Sequence, residues 1–289
     1  MRKLLLSLST ITIVLLSFFI LKLKQIDNFY KTKGRLNFIV YSPQFYVYSY
    51  DLVNNVDYLI KLETNLKFDV AGGFGVYEVG SVGKIAYLEK NNNILITSFS
   101  GLLGLPIDYY FYNDINQVYR NFPQEKISVL GLWDVIALKS NLGFAQRIYF
   151  LSKLVDINKR NLKFLSLNRF VNEEGVIEDD LLANDLQGIF YSSNLSYEDK
   201  LIVIYSWNYL AGQRISKVLE GIGLNVFSVN KSVENSGSCL VVDNGVEERS
   251  KTADFLVKYF NCDYELDLQN KDDFVEIEFY LNNLVEQWR

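Results

Sequence analysis

Histidine is absent from the whole of this 289-residue chain, and that absence excludes more chemistry than any motif in it provides. It removes the commonest general base, the commonest zinc ligand, and the Ser-His and Cys-His nucleophile pairs together. Cysteine occurs only twice, so four-thiolate zinc and iron–sulfur centres are excluded as well. Proline occurs three times, too few for a Pro-rich stalk or linker. Any catalysis would have to rest on carboxylates, Lys, Arg or a hard metal ion. Basic charge is also scarce where a nucleic acid would need it. The net charge is −5, and the stretch from Glu234 to the end alone carries −8. Phosphate backbones need a basic surface, so nucleic acid is not an expected partner.

Core-forming material, in contrast, is plentiful. Apolar residues make up 49% of the chain and aromatics 15%, at a length that holds two ordinary domains and an anchor. After Met1-Arg2-Lys3 an uncharged run rich in Leu, Ile, Val and Phe extends from Leu4 to Leu21. As a helix these residues would reach about 27 Å, enough to cross the hydrocarbon core of a bilayer. Lys22 and Lys24 would then snorkel to the interface. No small-residue cleavage site follows the run, so residues 4–23 are read as an uncleaved single-pass transmembrane anchor rather than a signal peptide. Residues 25–34 are polar and read as a short spacer. The lysines and arginine after the run favour a cytoplasmic body on charge alone.

In the body, Leu36–Tyr41 and Phe45–Tyr50 are β-branched and aromatic runs broken at Ser42-Pro43, and Val56–Leu62 is a third strand. Residues 94–103 and 114–120 are expected to be helical, with Gly104 and Pro106 ending the first. Helical spacing returns between Trp133 and Leu154 with a break at Gly143, and Asn161–Phe170 is expected to be a strand. Asn172–Gly175 reads as a turn, and Glu178-Asp179-Asp180 as the opening of a short helix. A polar stretch from Ser192 to Lys200 marks a domain boundary.

Beyond it, Leu201–Tyr205 is a strand, and Ile215, Val218, Leu219 and Ile222 share one helix face, with Gly221 and Gly223 as its stop. Strands at Asn225–Val229 and Cys239–Val242, a turn at Asp243–Gly245, a helix capped by Ser250 and a strand at Tyr264–Leu268 complete a β-α-β-β-α-β order. That order predicts a ferredoxin-like arrangement. The last apolar residues alternate as a strand through Leu281, with a helical turn after it. The fold class is therefore mixed α/β.

Few motifs carry chemistry. Gly72-Gly73-Phe74-Gly75 with Gly80 and Gly83-Lys84 invites a phosphate-loop reading. The required glycine at position 78 is Glu78, however, and Ile85 stands where the metal-binding hydroxyl should be. A glycine-permitted turn accounts for the stretch. The acidic pairs Asp179-Asp180 and Asp272-Asp273 diverge on any regular backbone and read as solvated surface charge. Cys239 and Cys262 would form a disulfide between sheet and helix in an oxidising compartment, or pack as two small buried hydrophobes in a reducing one.

Two stretches carry a family likeness. Leu102-Leu-Gly-Leu-Pro-Ile-Asp-Tyr-Tyr-Phe111 resembles the signature segment of LytR-CpsA-Psr (cell envelope-related transcriptional attenuator) proteins. Ile202-Val-Ile-Tyr-Ser-Trp-Asn208 with Leu210-Ala-Gly-Gln-Arg-Ile-Ser-Lys-Val-Leu-Glu-Gly-Ile-Gly223 resembles the small LytR C-terminal domain. The resemblance implies an anchor at 4–23, a LytR-CpsA-Psr-like domain at 35–192 and a LytR C-terminal-like domain at 200–284. It also implies an extracytoplasmic body, held to the cell membrane by its single pass, of a bacterial cell-envelope protein.

Family members transfer polyprenyl-pyrophosphate-linked glycopolymers to peptidoglycan and hold the pyrophosphate with an arginine of an Ile-Pro-Arg-Asp-Thr motif. Here that Arg and Asp fall on Thr64 and Asn65, and clustered arginines are not evident, Arg147 and Arg160 standing apart. A pyrophosphate needs paired cations or a metal. The expectation is thus a degenerate relative with no catalytic, cofactor-binding or metal residues, which binds or scaffolds in envelope assembly. Its partners would be the membrane and a cell-wall glycan, a polyprenyl lipid or other envelope proteins. The alternative is an active Mg-dependent phosphotransferase using displaced residues.

Overall fold

A computed structural model describes the chain except residues 1, 44, 121–129, 158–161, 245–248 and 268–274 and the side chains of 2–9, 179, 180 and 184. The first half comprises α1 (Arg2–Lys33), β1 (Arg35–Tyr41), β2 (Phe45–Asp51), β3 (Asp57–Leu62), β4 (Lys67–Val70), β5 (Gly75–Glu78), α2 (Val82–Leu88), α3 (Asn93–Leu103) and β6 (Tyr109–Tyr112). It continues with α4 (Leu132–Ala137), β7 (Lys139–Ser140), α5 (Phe144–Ile157), β8 (Leu162–Ser166), α6 (Asp179–Leu186) and α7 (Ser193–Ser196). The second half holds β9 (Leu201–Ser206), α8 (Tyr209–Gly221), β10 (Asn225–Lys231), β11 (Leu240–Asn244), α9 (Lys251–Phe260), β12 (Asp263–Asp267), β13 (Ile277–Tyr280) and α10 (Val285–Trp288). A mixed α/β fold with several sheets results.

The first sheet has the order β7-β6-β1-β2-β3-β8. Its central strands are buried on both faces because neither alternating set is polar. Ile39, Tyr41, Phe45, Val47 and Ile60 point to one core with α3 and the β4–β5 hairpin. Leu36, Phe38, Tyr46, Tyr48 and Leu59 point to another under α5. The expected 114–120 helix is absent: Tyr119 instead donates its main-chain N–H to the Gly80 carbonyl at 3.0 Å, in an irregular segment. The expected strand at 161–170 is shorter, Leu162–Ser166, and is followed by a single 3-10 turn, Asn168–Phe170.

The second sheet has the order β10-β9-β13-β11-β12. β9 and β10 pair in parallel across α8, and β11 and β12 pair in parallel across α9. β13 lies between the two pairs, parallel to β9 and antiparallel to β11. The ferredoxin-like expectation is thereby corrected, because that arrangement interleaves its βαβ units, whereas here each unit keeps its own strands adjacent. The expected turn at Asp243–Gly245 is also corrected. Asp243 and Asn244 are strand residues and Asn244 donates its main-chain N–H to Glu276, while Gly245 lies outside the described residues.

α1 runs unbroken to Lys33, so residues 25–34 are not a spacer. Phe19, Leu23, Ile26, Tyr30 and Lys33 recur at alternate steps of four and three, one helix face. Leu23, Ile26 and Tyr30 pack against the α5 side of the first sheet. Intervening Lys24, Gln25, Asn28 and Lys31 face outward, which is why the stretch reads as polar when periodicity is ignored. Gly34, at φ 78°, stops the helix. Ahead of the docked part, Ile11, Ile13, Val14, Leu15, Leu16, Phe18, Ile20 and Leu21 are all exposed. Among the described residues no helix is long and apolar enough to cross a membrane. The expected anchor, 4–23, falls in part on side chains outside the described residues.

The two halves meet through α8. Its apolar face (Ala211, Ile215, Val218, Leu219) belongs to the second core. Its other face meets α3: Lys217 Nζ donates to the Leu102 carbonyl at 2.9 Å, a cation on a helix C-terminus. Gly221 lies so close to Gly104 that a Cβ there would stand 1.7 Å from the Gly104 carbonyl oxygen. Close approach therefore explains this glycine better than a helix stop, since Gly221 is still helical.

Candidate functional site

The signature-like segment Pro106–Tyr110 lies where α1, the first sheet and the second domain converge. Asn37 on β1 donates its side-chain amide to the Pro106 carbonyl at 2.9 Å, and its main-chain N–H donates to Asp108 Oδ2 at 2.8 Å. Lys33, at the end of α1, reaches the same place. Its Nζ donates to both Asp108 oxygens, at 2.5 and 2.6 Å, and to the Pro106 carbonyl at 3.0 Å. Lys33 and Asp108 are both buried side chains. Burial pulls the Lys33 ammonium below the usual lysine range while Asp108 opposes that change. Burial likewise pushes the Asp108 carboxyl up against the pull of Lys33. Tyr30 donates its phenol to Tyr109 at 2.6 Å, and Tyr259 of α9 donates to the Ile107 carbonyl at 3.0 Å. Burial raises all three phenols, so they stay protonated and neutral through the physiological range.

Beside this joint a cavity of about 480 Å3 opens between the two domains. Tyr30, Tyr109, Tyr259 and Trp288 contribute aromatic surface to it. Its polar lining is dominated by carboxamides: Asn93 of α3, Asn141, Gln146 of α5, Asn261, Asn283 and Gln287. Several are held in place by main chain. Gln146 Oε1 accepts from Gly143 N at 2.8 Å, and Asn283 Oδ1 accepts from Cys239 N at 3.1 Å. In these two the amide nitrogen is left as a donor, whereas Asn141 both accepts from Tyr110 N and donates to the Asp108 carbonyl, each at 3.1 Å. The lining thus combines carboxamides, which can donate and accept, with flat aromatic surface, and that suits an oxygen-rich polyol or N-acyl sugar.

Cys239 and Cys262 are joined in a disulfide, with Cα atoms 4.8 Å apart, tying the end of α9 to the start of β11. Cys239 also lines the cavity. Thr64 and Asn65 lie in the turn between β3 and β4, away from the cavity lining. Thr64 is buried and its carbonyl accepts from Gly80 N at 2.9 Å, while Asn65 is exposed. Arg147 donates to the Ile136 carbonyl at 3.0 Å and to Ser140, so it serves the main chain of α4. Arg160, Asp272 and Asp273 lie outside the described residues. Among the described residues no three acidic or thiol side chains stand together as a metal site would require.

The glycine turn has an occupant within the chain itself. Gly72 N and Gly73 N both donate to the Arg289 carbonyl, at 2.7 and 2.8 Å. Arg214 Nη1 donates to the same oxygen at 2.7 Å, and its Nη2 pairs with Asp69 at 2.5 Å. Both glycines have positive φ, which lets successive N–H groups converge on one oxygen. A cation-assisted oxygen nest thus clamps the segment after β13 onto the first domain.

The residues that sequence reasoning missed are Tyr30, Lys33 and the six carboxamides. The four-three recurrence from Phe19 to Lys33 could have revealed the first two. Nothing links the amides in sequence, since they come from separate elements.

No family profile matches the chain, and no curated protein matches it. Among solved structures, TagV from B. subtilis overlaps 53% of this chain and 94% of its own, at 9% identity and a TM-score of 0.35. TagT, solved bound to LIIa-WTA, overlaps 54% of this chain and 89% of its own, at 9% identity and a TM-score of 0.36. A transcriptional regulator from Enterococcus faecalis overlaps 68% and 90%, at 10% identity and a TM-score of 0.39. Overlaps of this size assign neither a family nor an activity.

Proposed function

We propose that this protein is a membrane-anchored, extracytoplasmic envelope protein that binds a glycan between its two domains and does not transfer it. The observation that carries this reading is the interdomain cavity, with six carboxamides over an aromatic floor. Sugars present many acceptor oxygens and flat C–H faces, and this lining offers complementary donors and rings. The resemblance of Leu102–Phe111 to an envelope-family signature supports it, because the Asp108 and Tyr109 of that segment line the cavity. The Cys239–Cys262 disulfide supports a body in an oxidising compartment. The exposed apolar run from Ile11 to Leu21 supports the anchor. A non-catalytic role follows from the resemblance itself, whose Arg and Asp positions hold Thr64 and Asn65.

The test is calorimetric titration of the detergent-solubilised full chain with soluble, peptide-free peptidoglycan glycan. Saturable binding is expected, weakened about tenfold when Asn93→Ala and Gln287→Ala remove two amides at roughly 1 kcal/mol or less each. Absence of binding would overturn the glycan reading. Mg-dependent consumption of a polyprenyl-pyrophosphate glycan would overturn the non-catalytic part and favour the phosphotransferase. Location is tested separately, by a reporter active on one side of the membrane together with the redox state of the two cysteines.

A further inference from the structure

The cluster formed by α4 and the start of α5 is apolar and turned outward. In α4, Val135 is buried while Leu132, Trp133 and Ile136 are exposed, Trp133 by 81%. Leu132 and Ile136 are i,i+4 neighbours and Trp133 and Ile136 are i,i+3 neighbours, so the three exposed side chains adjoin one another on the helix. Phe144, which opens α5, is 77% exposed. Arg147, one turn further on, donates to the Ile136 carbonyl at 3.0 Å, so the end of α4 rests on the first turn of α5. The Phe144 ring lies 5.9 Å from that of Phe19 on α1. Phe144 thus adjoins the apolar run of α1, and α4, held to α5 through Arg147, carries three more exposed apolar side chains.

The depth at which they meet α1 identifies what covers them. Phe19 is three residues before Lys22, about 4.5 Å along the helix axis. If residues 4–21 lie in hydrocarbon, Lys22 and Lys24 mark the headgroup level. Phe144, beside Phe19, then stands at that boundary, and α4 next to α5 carries Trp133, whose amphipathic ring is favoured there. Lys139, between α4 and α5, is exposed as well and offers charge to anionic headgroups. We infer that Leu132, Trp133, Ile136 and Phe144 form a second membrane contact, which seats the body on the lipid surface beside its anchor. This inference rests on the anchor reading above. It adds that the body is held at a fixed orientation rather than hanging from a free tether.

The full chain reconstituted in phosphatidylcholine vesicles with brominated acyl chains tests both readings separately. Tryptophan quenching by the bromines reports the contact, and resistance to alkaline carbonate extraction reports the anchor. The expected result is carbonate resistance with a quenchable component of emission that is lost in Trp133→Phe, a surface substitution that leaves folding intact. Carbonate resistance with emission that bromine does not quench, or with quenching unchanged by Trp133→Phe, would overturn the contact and leave the anchor. Extraction by carbonate with quenching retained would keep the contact and overturn the anchor. Extraction without quenching would overturn both. Unquenched emission that shifts to the blue with rising protein concentration would assign the patch to a second copy of the chain, which also overturns it.

Discussion

Lys33 is the residue on which the joint between α1, the first sheet and the second domain depends. Its ammonium is enclosed by Asp108, the Pro106 carbonyl and the rings of Tyr30 and Tyr259. Burying an ion pair gains little net stability, but removing one partner strands the other in a low-dielectric site. Lys33→Met should therefore cost about 3–5 kcal/mol in urea unfolding of the solubilised chain, and Lys33→Met with Asp108→Leu should recover most of it. The pH dependence has a definite sign. Burial lifts the Asp108 carboxyl above its ordinary 3.8, so the folded chain holds that proton more tightly than the unfolded one. Its contribution is full below 3.8 and is lost as pH rises through the folded value. Asp108→Asn removes this titration, and its stability should fall less steeply than wild type from about pH 4 upward in the same assay.

At the scale of elements, α8 both completes its own core and packs on α3, and two glycines separate these roles. A Cβ on Gly221 would meet the Gly104 carbonyl at 1.7 Å, a main-chain atom that cannot swing aside. Gly221→Ala should part the helices and cost about 1–3 kcal/mol. A Cβ on Gly101, inside α3, would meet Arg214 at an ordinary 3.6 Å. Gly101→Ala should therefore be neutral or stabilise by up to about 1 kcal/mol, through helix propensity alone. Differential scanning calorimetry of the pair distinguishes steric closeness from a general intolerance of change at this interface. The disulfide acts at the same scale, fixing α9 against β11 across a separation of 23 residues. Cys239→Ala with Cys262→Ala should lower stability by about 2–4 kcal/mol, and reductant should lower wild type by a similar amount while leaving the variant unchanged.

At the scale of the molecule, three devices hold the two sheets in one arrangement around the cavity. α1 docks on the first sheet, and its Phe29 stacks on Phe255 of α9. α8 packs on α3, and the oxygen nest of Gly72 and Gly73 with Arg214 clamps the Arg289 carbonyl. A glycan bound between domains held this way would meet a preformed lining, which lowers the cost of ordering on binding. Together with a lipid contact at Trp133 and Phe144, the cavity would be presented at a constant height above the membrane.

Much of this architecture was legible in the residues themselves. The β1–β2 hairpin, α3, β9, α8 and the Ser250-capped α9 follow from local periodicity, because alternation, 3.6-residue spacing and caps act within a few residues. The glycine turn at Gly72 was likewise readable as a turn, since positive φ is a local demand. What joins to what was not. The placing of β13 between two βαβ units, which replaces the ferredoxin-like order, depends on pairing between strands far apart in sequence. The burial of Lys33 depends on Asp108, 75 residues away, and a lysine in a polar stretch carries no mark of its partner. The cavity is the extreme case: Asn93, Asn141, Asn261 and Gln287 share no motif, and only the packing of two domains gathers their amides around one space. Local sequence determined the elements because backbone propensity is short-ranged. Tertiary structure alone decided the site, because a binding surface is assembled from side chains that meet only after those elements have packed.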